Sequence, residues 1–445
     1  MNALSYRLSK TDLKLIEKIT ALNTTNPDYW SFKGRAKRTG SHALFQYPAM
    51  MVPQMQGVLI RALLDVNPDV HTILDPFVGV GTTLGESMLQ GLNFIGYDIN
   101  PLAILACKVK SQPLYLTSLQ KKIEQTTNNI KHDCSEEIDV YFNGIDKWFL
   151  KSVQIDLCKI RRAIRIEESL WARRFFWLTL CSVVRAVCNS RSSTYKLHIK
   201  AKDKILSQDV IHLFQKELIE NFKNLKKFLS QLQDKSFVCN GCYLGQVSLK
   251  LCDVKIQNNS KKVDAIISSP PYGDNKTTVP YGQFSYLPLQ WIDLPDIEKS
   301  LTPYCIQGQS IIDNLSLGGK LTEWRVKKEG VCEKSSTLAE TVKLIESRRQ
   351  KEIRKIIVFF DDLDKSLDKI VGQLKNNGYM IWTVGNRSVA GTEIKLNEIL
   401  KQLLQQKGCS FIYELERIIP SKRMAPKNKS SVTMTREFVL IMKKL

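Results

Sequence analysis

Acidic residues are scarce in this sequence. Its 445 residues include 44 Asp and Glu against 65 Lys and Arg, a formal net charge of +21. That imbalance excludes an acidic, self-solvating chain and points to a polyanionic partner, with nucleic acid the first candidate. Long apolar runs are missing too, since none reaches the ~18 residues that a membrane span requires. The opening segment, residues 1–18, mixes charges with apolar residues at helical spacing and lacks the build of an export signal. A soluble, cytoplasmic protein without a membrane partner is therefore expected. Paired cysteines are lacking as well. The 11 Cys are odd in number and scattered singly from Cys107 to Cys409, which is poor material for a disulfide framework and suits a reducing compartment. The one close pair, Cys239 and Cys242, has neither a second pair nor a His at finger-like spacing, so no metal is expected there. The five histidines at His42, His71, His132, His198 and His212 lie too far apart to suggest a ligand set or a triad.

What is present is an ordinary globular composition, 43% hydrophobic and 24% charged, without repeats or low-complexity tracts. A chain of this length holds two or three domains, or one enlarged domain with insertions. Residues 1–40 read as a basic, helical lead-in that includes the run 33–38. Apolar spacing tightens over 42–64. Residues 71–83 then read as a short strand entering a glycine turn, 84–92 as a helix, and 93–101 as a second strand with its turn, which together make a β-α-β unit. From about 103 to 232 the pattern is helical, with charged faces such as 159–176 alternating with apolar stripes. Strand patterns return at 247–256 and 263–274. The span 275–334 is turn-rich with little period and reads as a long functional loop region. A helix over 337–376, a strand over 379–387, a helix over 396–407 and strands at 411–419 and 436–442 close the chain. Basic runs stand at 348–355 and 422–429; such runs are most often solvated faces, and the second is also a candidate to track phosphates.

In the turn 75–83, Gly79 and Gly81 let the backbone approach a ligand closely, while the helix that follows presents its amino terminus. A tight turn with no ligand would use the same residues. Asp98, ending the next strand, stands where an acceptor for ribose hydroxyls belongs in a nucleoside-binding α/β unit. The turn contains no Gly-Lys-Ser/Thr to grip a triphosphate, which favours a nucleoside without a long phosphate chain.

A second constellation, Ser268-Ser269-Pro270-Pro271-Tyr272-Gly273, follows an apolar strand and so falls at a strand's carboxyl end, where open α/β sheets place their ligands. Two prolines hold the backbone extended and remove amide donors, leaving carbonyl oxygens to accept. Such acceptors suit an exocyclic amine, whose nitrogen becomes a nucleophile only when its hydrogens are held. The Ser269 hydroxyl and the Pro270 carbonyl can hold them, and Tyr272 can stack on a base swung out of a duplex. A proline-stiffened loop with no such role is the plainer alternative.

Taken together, the turn 75–83, Asp98 and the segment 268–274 resemble the amino-methyltransferases of DNA, which use S-adenosylmethionine to modify cytosine N4 or adenine N6. The resemblance implies an α/β fold, a Rossmann-like class I methyltransferase sheet with a large helical insertion. It implies that Tyr47 and Pro48, within the motif 42–55, pack over the methionine part of the cofactor. Asp75, Pro76, Phe77, Gly79, Gly81, Thr82 and Thr83 would form the cofactor loop, Asp98 would hold the ribose, and Asp253 would contact the cofactor's adenine. Ser269, Pro270, Pro271 and Tyr272 would be the catalytic set. It further divides the chain into a cofactor-binding half at 41–110, a helical insertion at 111–245 as a candidate DNA-contacting subdomain, and a catalytic region at 246–290. A loop region at 291–345 is a candidate for target recognition, and 346–445 would complete the sheet. Double-stranded DNA is the implied partner, with a cognate restriction endonuclease as a further candidate.

The chain departs from the family pattern in two ways. The cofactor motif precedes the SPPY motif, the reverse of many SPPY enzymes, and the insertion separates the ribose acid from the next strand. Within that insertion, 189–200 is basic and hydroxyl-rich, carries Tyr195 and His198, and reads either as a loop contacting phosphates or bases or as a solvated connection. Serine at the first SPPY position is the commoner choice of the N4-cytosine members, which makes N4-cytosine the leading expectation and N6-adenine the alternative. An RNA guanine-amine methyltransferase and a non-catalytic nucleic-acid binder are the remaining classes. Cytosine carbon-5 chemistry is excluded, because it needs a thiolate after a proline and the chain has no Pro-Cys dipeptide.

Overall fold

Most strands of this protein are short runs of aliphatic and aromatic residues buried on both faces, the pattern of a sheet covered by helices on each side. In the computed structural model, which describes residues 6–34, 38–257, 261–346, 350–419 and 434–445, seven strands form that sheet. They are β1 (Thr72–Asp75), β2 (Asn93–Asp98), β3 (Val247–Leu251), β4 (Val263–Ser268), β5 (Leu374–Val384), β6 (Cys409–Ile418) and β7 (Arg436–Lys444). Their spatial order is β3-β2-β1-β4-β5-β7-β6. β1 pairs in parallel with β2 and β4, β2 with β3, and β4 with β5. In this sheet β7 alone runs against its neighbours β5 and β6. The winding reverses between β1 and β4, which opens a crevice at the carboxyl ends of those strands. This is the Rossmann-like methyltransferase sheet that the resemblance implies.

Strand periodicity divides the core in two. Ile73, Phe94, Ala265, Ile267, Ile381 and Ile441 face one cluster, into which the helices Lys10–Thr25, Pro53–Val66 and Pro101–Ser111 send Leu15, Leu59 and Leu105. Leu74, Ile95, Ile266, Met380, Trp382 and Leu440 face the other, covered by Ser336–Glu346, Gln350–Gln373 and Leu396–Gln405. The lead-in helix docks firmly. Ser9 and Asp12 close a capping box at its start, and the buried Asp12 also accepts from Tyr379 of β5 and from Lys443 of β7.

Helices Leu116–His132, Lys151–Ile166, Leu170–Val187 and Val210–Gln233 make the expected insertion. Its arginines are largely neutralised inside the molecule: Arg161 bridges Asp139 at 2.6 Å and Asp293 at 2.9 Å, and Arg173 pairs with Asp296 at 2.7 Å. The bonds to Asp293 and Asp296 staple the insertion to the segment that follows the SPPY region.

Several elements differ from expectation; the strand pattern of 263–274 is strand only as far as Ser268. The strand expected over 247–256 stops at Leu251: the Cys252 amide makes the last ladder bond, to the Asp98 carbonyl at 2.9 Å, and Asp253 then turns the chain by capping a short 3-10 turn, Val254–Ile256. The region 275–334 is not an open loop but a set of short helices, among them Tyr281–Gln290 and Trp324–Lys334. Phe284, Leu287 and Trp291 are buried in it; packing around them, rather than helical period, sets this region, and Pro288 inside the first helix weakens the local signal. The helix expected over 337–376 is two helices, and the chain enters β5 at Leu374, which pairs with Val263 before the register shifts ahead of Tyr379.

Candidate active site

β1 ends at Asp75, whose carboxyl is sealed from solvent. Its Oδ1 accepts from Ser268 Oγ, at the end of β4, at 2.6 Å and from the Phe77 amide at 3.1 Å. Burial raises this carboxyl to about 6, against the lowering effect of those donors and of neighbouring Thr83. After buried Pro76 and half-buried Phe77, the chain passes through Gly79 and Gly81 with left-handed φ of 51° and 75°. The two glycines serve different ends. Nothing lies within 4 Å of a Cβ built at Gly79, so its backbone faces open space, whereas at Gly81 a Cβ would stand 2.9 Å from Cys107 Sγ. Thr82 and Thr83, both buried, begin the helix Thr82–Met88.

Asp98, ending β2, reaches back over the turn. Its Oδ2 accepts from the Gly79 amide at 2.9 Å and its Oδ1 from the Asn100 amide at 2.8 Å. Burial nonetheless raises its carboxyl to about 6, and each oxygen keeps capacity for a further donor. From beneath, Lys110 Nζ donates to the carbonyls of Val80 at 2.5 Å and Gly81 at 3.4 Å, and Cys107 Sγ to that of Gly79 at 3.2 Å. Burial lowers Lys110 to about 8. Asn100 caps the helix Pro101–Ser111 through Oδ1 and donates to Tyr47 Oη at 2.8 Å and to Ser285 Oγ at 2.7 Å. Tyr47 stacks on Tyr281 with centroids 5.3 Å apart, and Pro48 is buried next to it. Asp253 stands two residues beyond Leu251, the register partner of Asp98, and accepts from the Lys255 amide at 2.9 Å.

On the other side of the Asp75–Ser268 bond, Ser269 Oγ donates to Tyr272 Oη at 3.3 Å, and Tyr272 donates to Glu437 Oε1 at 3.3 Å. Pro270 is buried and Pro271 half-buried. The Tyr272 ring closes on Gly385, where a Cβ would come within 2.8 Å of Cε2. Burial, reinforced by the charge of Glu437, pushes its phenol well above the usual range, so it keeps its proton. Gly273 leaves room for Arg387, whose Cζ would lie 2.3 Å from a Cβ there. Arg387 donates to Thr277 at 2.9 Å and lies 3.8 Å from Asp274. Asn275 and the Gly282 amide converge on buried Asp313 Oδ1 at 3.1 and 2.8 Å.

The glycine turn, Asp98, Tyr47 and the SPPY segment thus share one end of the sheet, with Asp253 on its flank. Loop 189–200, closed by a bridge between Ser190 and Ile199, lies on the same rim. Its Leu197 amide bonds to Gln283 at 3.3 Å, and exposed Tyr195 meets Phe284 edge-on at 6.1 Å. The basic run 422–429 lies outside the described residues, as do Arg348 and Arg349 of the other run and residues 35–37 of the lead-in. Residue-by-residue sequence reasoning missed Asn100, Lys110, Arg387, Glu437 and Asp313. Asn100 was within reach, because Asn before Pro is a helix-cap signal. A lone Lys110 on an apolar helix face was a second.

A family model described as DNA methylase matches residues 5–108. Over nearly the whole length, the chain is 32% identical to the Type II methyltransferase M.MvaI of Kocuria varians, across 461 residues and 98% of each chain. It is 25% identical to the Type II methyltransferase M.BsoBI of Geobacillus stearothermophilus, covering 59% of this chain and 55% of that one. A shorter match, 35% identical over 104 residues, joins 23% of this chain to 19% of the Type II methyltransferase M.MjaII of Methanocaldococcus jannaschii.

Proposed function

The chain belongs to the amino-methyltransferases of DNA, and from that premise we propose that it methylates cytosine N4 in duplex DNA, with Ser269, Pro270, Pro271 and Tyr272 around the base. Its methyl donor is S-adenosylmethionine, which when bound supplies an electrophilic sulfonium methyl. The residues present fit that cofactor. Gly79 borders open space, and Asp98 has acceptor capacity left over in surroundings that disfavour its charge, a state that ribose hydroxyl donors relieve. Phe77, Gly79, Gly81, Thr82 and Thr83 would line it, Tyr47 and Pro48 would cover its methionine part, and Asp253 would meet its adenine.

The chain's own residues then have separable tasks. Tyr272 offers a stacking face to a base drawn out of the duplex. Ser269 Oγ and the Pro270 carbonyl take the amine hydrogens, which localises the nitrogen lone pair and stabilises the positive charge that grows on nitrogen as it attacks. A neutral serine acceptor, rather than aspartate, supports cytosine as the target. Around the cleft, exposed Arg191 and Lys196 on loop 189–200 suit phosphate contacts.

The single observation that carries this proposal is the 2.6 Å bond between Ser268 and Asp75, which ties the strand entering the SPPY segment to the strand entering the glycine turn. Methylation-sensitive sequencing of DNA from cells expressing the protein tests it. N4-methylcytosine at a recurrent sequence is the expected result; N6-methyladenine would move the assignment to adenine, and unmodified DNA would reject it.

A further inference from the structure

Resting on the assignment of Ser269 as an amine acceptor, we infer that Glu437 is a positioning residue that fixes the direction of a hydrogen-bond chain, so that Ser269 meets the base as an acceptor. The need for such a device is chemical. A serine hydroxyl carries one hydrogen and two lone pairs. If the hydrogen points at the amine, it occupies the nitrogen lone pair that must attack. It has to be directed elsewhere.

The structure directs it. Ser269 Oγ donates to Tyr272 Oη, which accepts only because the phenolic hydrogen has its own destination at Glu437 Oε1. Glu437 cannot return a hydrogen. Its Oε2 is forked by Arg417 Nε at 3.0 Å and Nη2 at 2.5 Å, and a guanidinium has no acceptor. Arg417 is itself buried and anchored by Nη1 on the Trp30 carbonyl at 3.1 Å. One direction runs from end to end: Arg417 donates to Glu437, Tyr272 donates to Glu437, and Ser269 donates to Tyr272. What remains on Ser269 is lone pairs. The two hydroxyl links are 3.3 Å long, beyond the ~2.7–2.8 Å usual for such bonds, as is common in catalytic sites that tighten around substrate. Gly385 keeps the ring in line, since any side chain there would press on Tyr272.

The test is single-turnover methyl transfer to duplex DNA by the full chain carrying Tyr272→Phe, Glu437→Gln, both together, or Ser269→Ala, with Kd for DNA and cofactor measured alongside. Phenylalanine keeps the stacking face and leaves the Arg417–Glu437 pair intact, so it is informative even where Glu437→Gln folds poorly. Tyr272→Phe and Glu437→Gln are each expected to slow transfer roughly 10-fold, the size of one hydrogen bond in a polar network, less than Ser269→Ala does, with both Kd values unchanged and the double variant no slower than either of these two single ones. Wild-type rates in Tyr272→Phe beside a slow Ser269→Ala would overturn the chain while leaving the acceptor role standing. So would a slow Glu437→Gln beside an unaffected Tyr272→Phe, or an additive double variant. An unaffected Ser269→Ala would remove the acceptor role itself.

Discussion

The two halves of the cleft are held by contacts of very different reach. Around the glycine turn most supports are local: Gly79 to Asp98 spans 19 residues, Cys107 to Gly79 spans 28 and Lys110 to Val80 spans 30, the bond from Ser268 to Asp75 across 193 being the long one. Around the SPPY segment the supports are distant, with Tyr272 bonded to Glu437 across 165 residues, Arg387 to Thr277 across 110 and Asn275 to Asp313 across 38. The cofactor half is therefore held mainly within one β-α-β unit and the helix that follows it, Pro101–Ser111. The acceptor half is assembled by the completed sheet, and damage far along the chain should reach it.

The largest expected effect falls on the acceptor half. In the role proposed for it, Ser269 is a polar acceptor aimed at developing charge, so Ser269→Ala should lower turnover by roughly 100-fold or more while DNA affinity changes little; equal losses in both would make Ser269 a binding residue. Next comes Asp313→Ala, which leaves Asn275 and two backbone amides without their acceptor. Unmet buried donors cost on the order of 3 kcal/mol, so denaturant unfolding should shift by about that much and methyl transfer should fall with it. An unchanged midpoint would show that 275–313 is not part of the acceptor scaffold.

Smaller effects are expected on the cofactor half. Asp98→Ala should weaken S-adenosylmethionine binding by ~1–3 kcal/mol, read by calorimetry, with the fold intact because the turn keeps its Lys110 and Cys107 supports. Unchanged affinity would reject Asp98 as the ribose ligand. The wild-type protein should show a pH dependence with the same origin. Burial holds the Asp98 carboxyl near 6, and hydroxyl donors favour the ionised form. Cofactor affinity should be full above that value and fall by up to roughly tenfold per unit below it. In the free protein the sign is opposite. Folded Asp75 and Asp98 retain protons that the unfolded chain has released, so they cost stability above about pH 6 and stop doing so as pH drops towards the unfolded value.

The same contrast explains what the sequence made legible. Gly79, Gly81 and Asp98 announce themselves because strand, turn, helix and strand follow one another within thirty residues or so, and their spacing is their geometry. Ser269 to Tyr272 were legible as a motif but not as a supported site. Glu437 and Arg417 look like ordinary β-strand charges until β6 and β7 pair and bring them beneath Tyr272. The helices within 275–334 were hidden for a related reason: their aromatic residues answer to distant packing, not to a helical repeat. The arginines of 159–176 show the reverse error that charge counting invites, since Arg161 and Arg173 answer internal aspartates. Such pairs take up acids along with bases, so the net +21 stands but is carried by basic residues other than these two.

The most direct measurement of the central claim, that one cleft passes a methyl group from the glycine-turn half to an amine held by the SPPY half, is transfer of isotopically labelled methyl from S-adenosylmethionine to duplex DNA, followed by nucleoside digestion and mass spectrometry. The label should appear as N4-methylcytosine with wild-type protein and be strongly reduced with Ser269→Ala at saturating cofactor and DNA. Label found in structured RNA but in no DNA, or undiminished by Ser269→Ala, would contradict it.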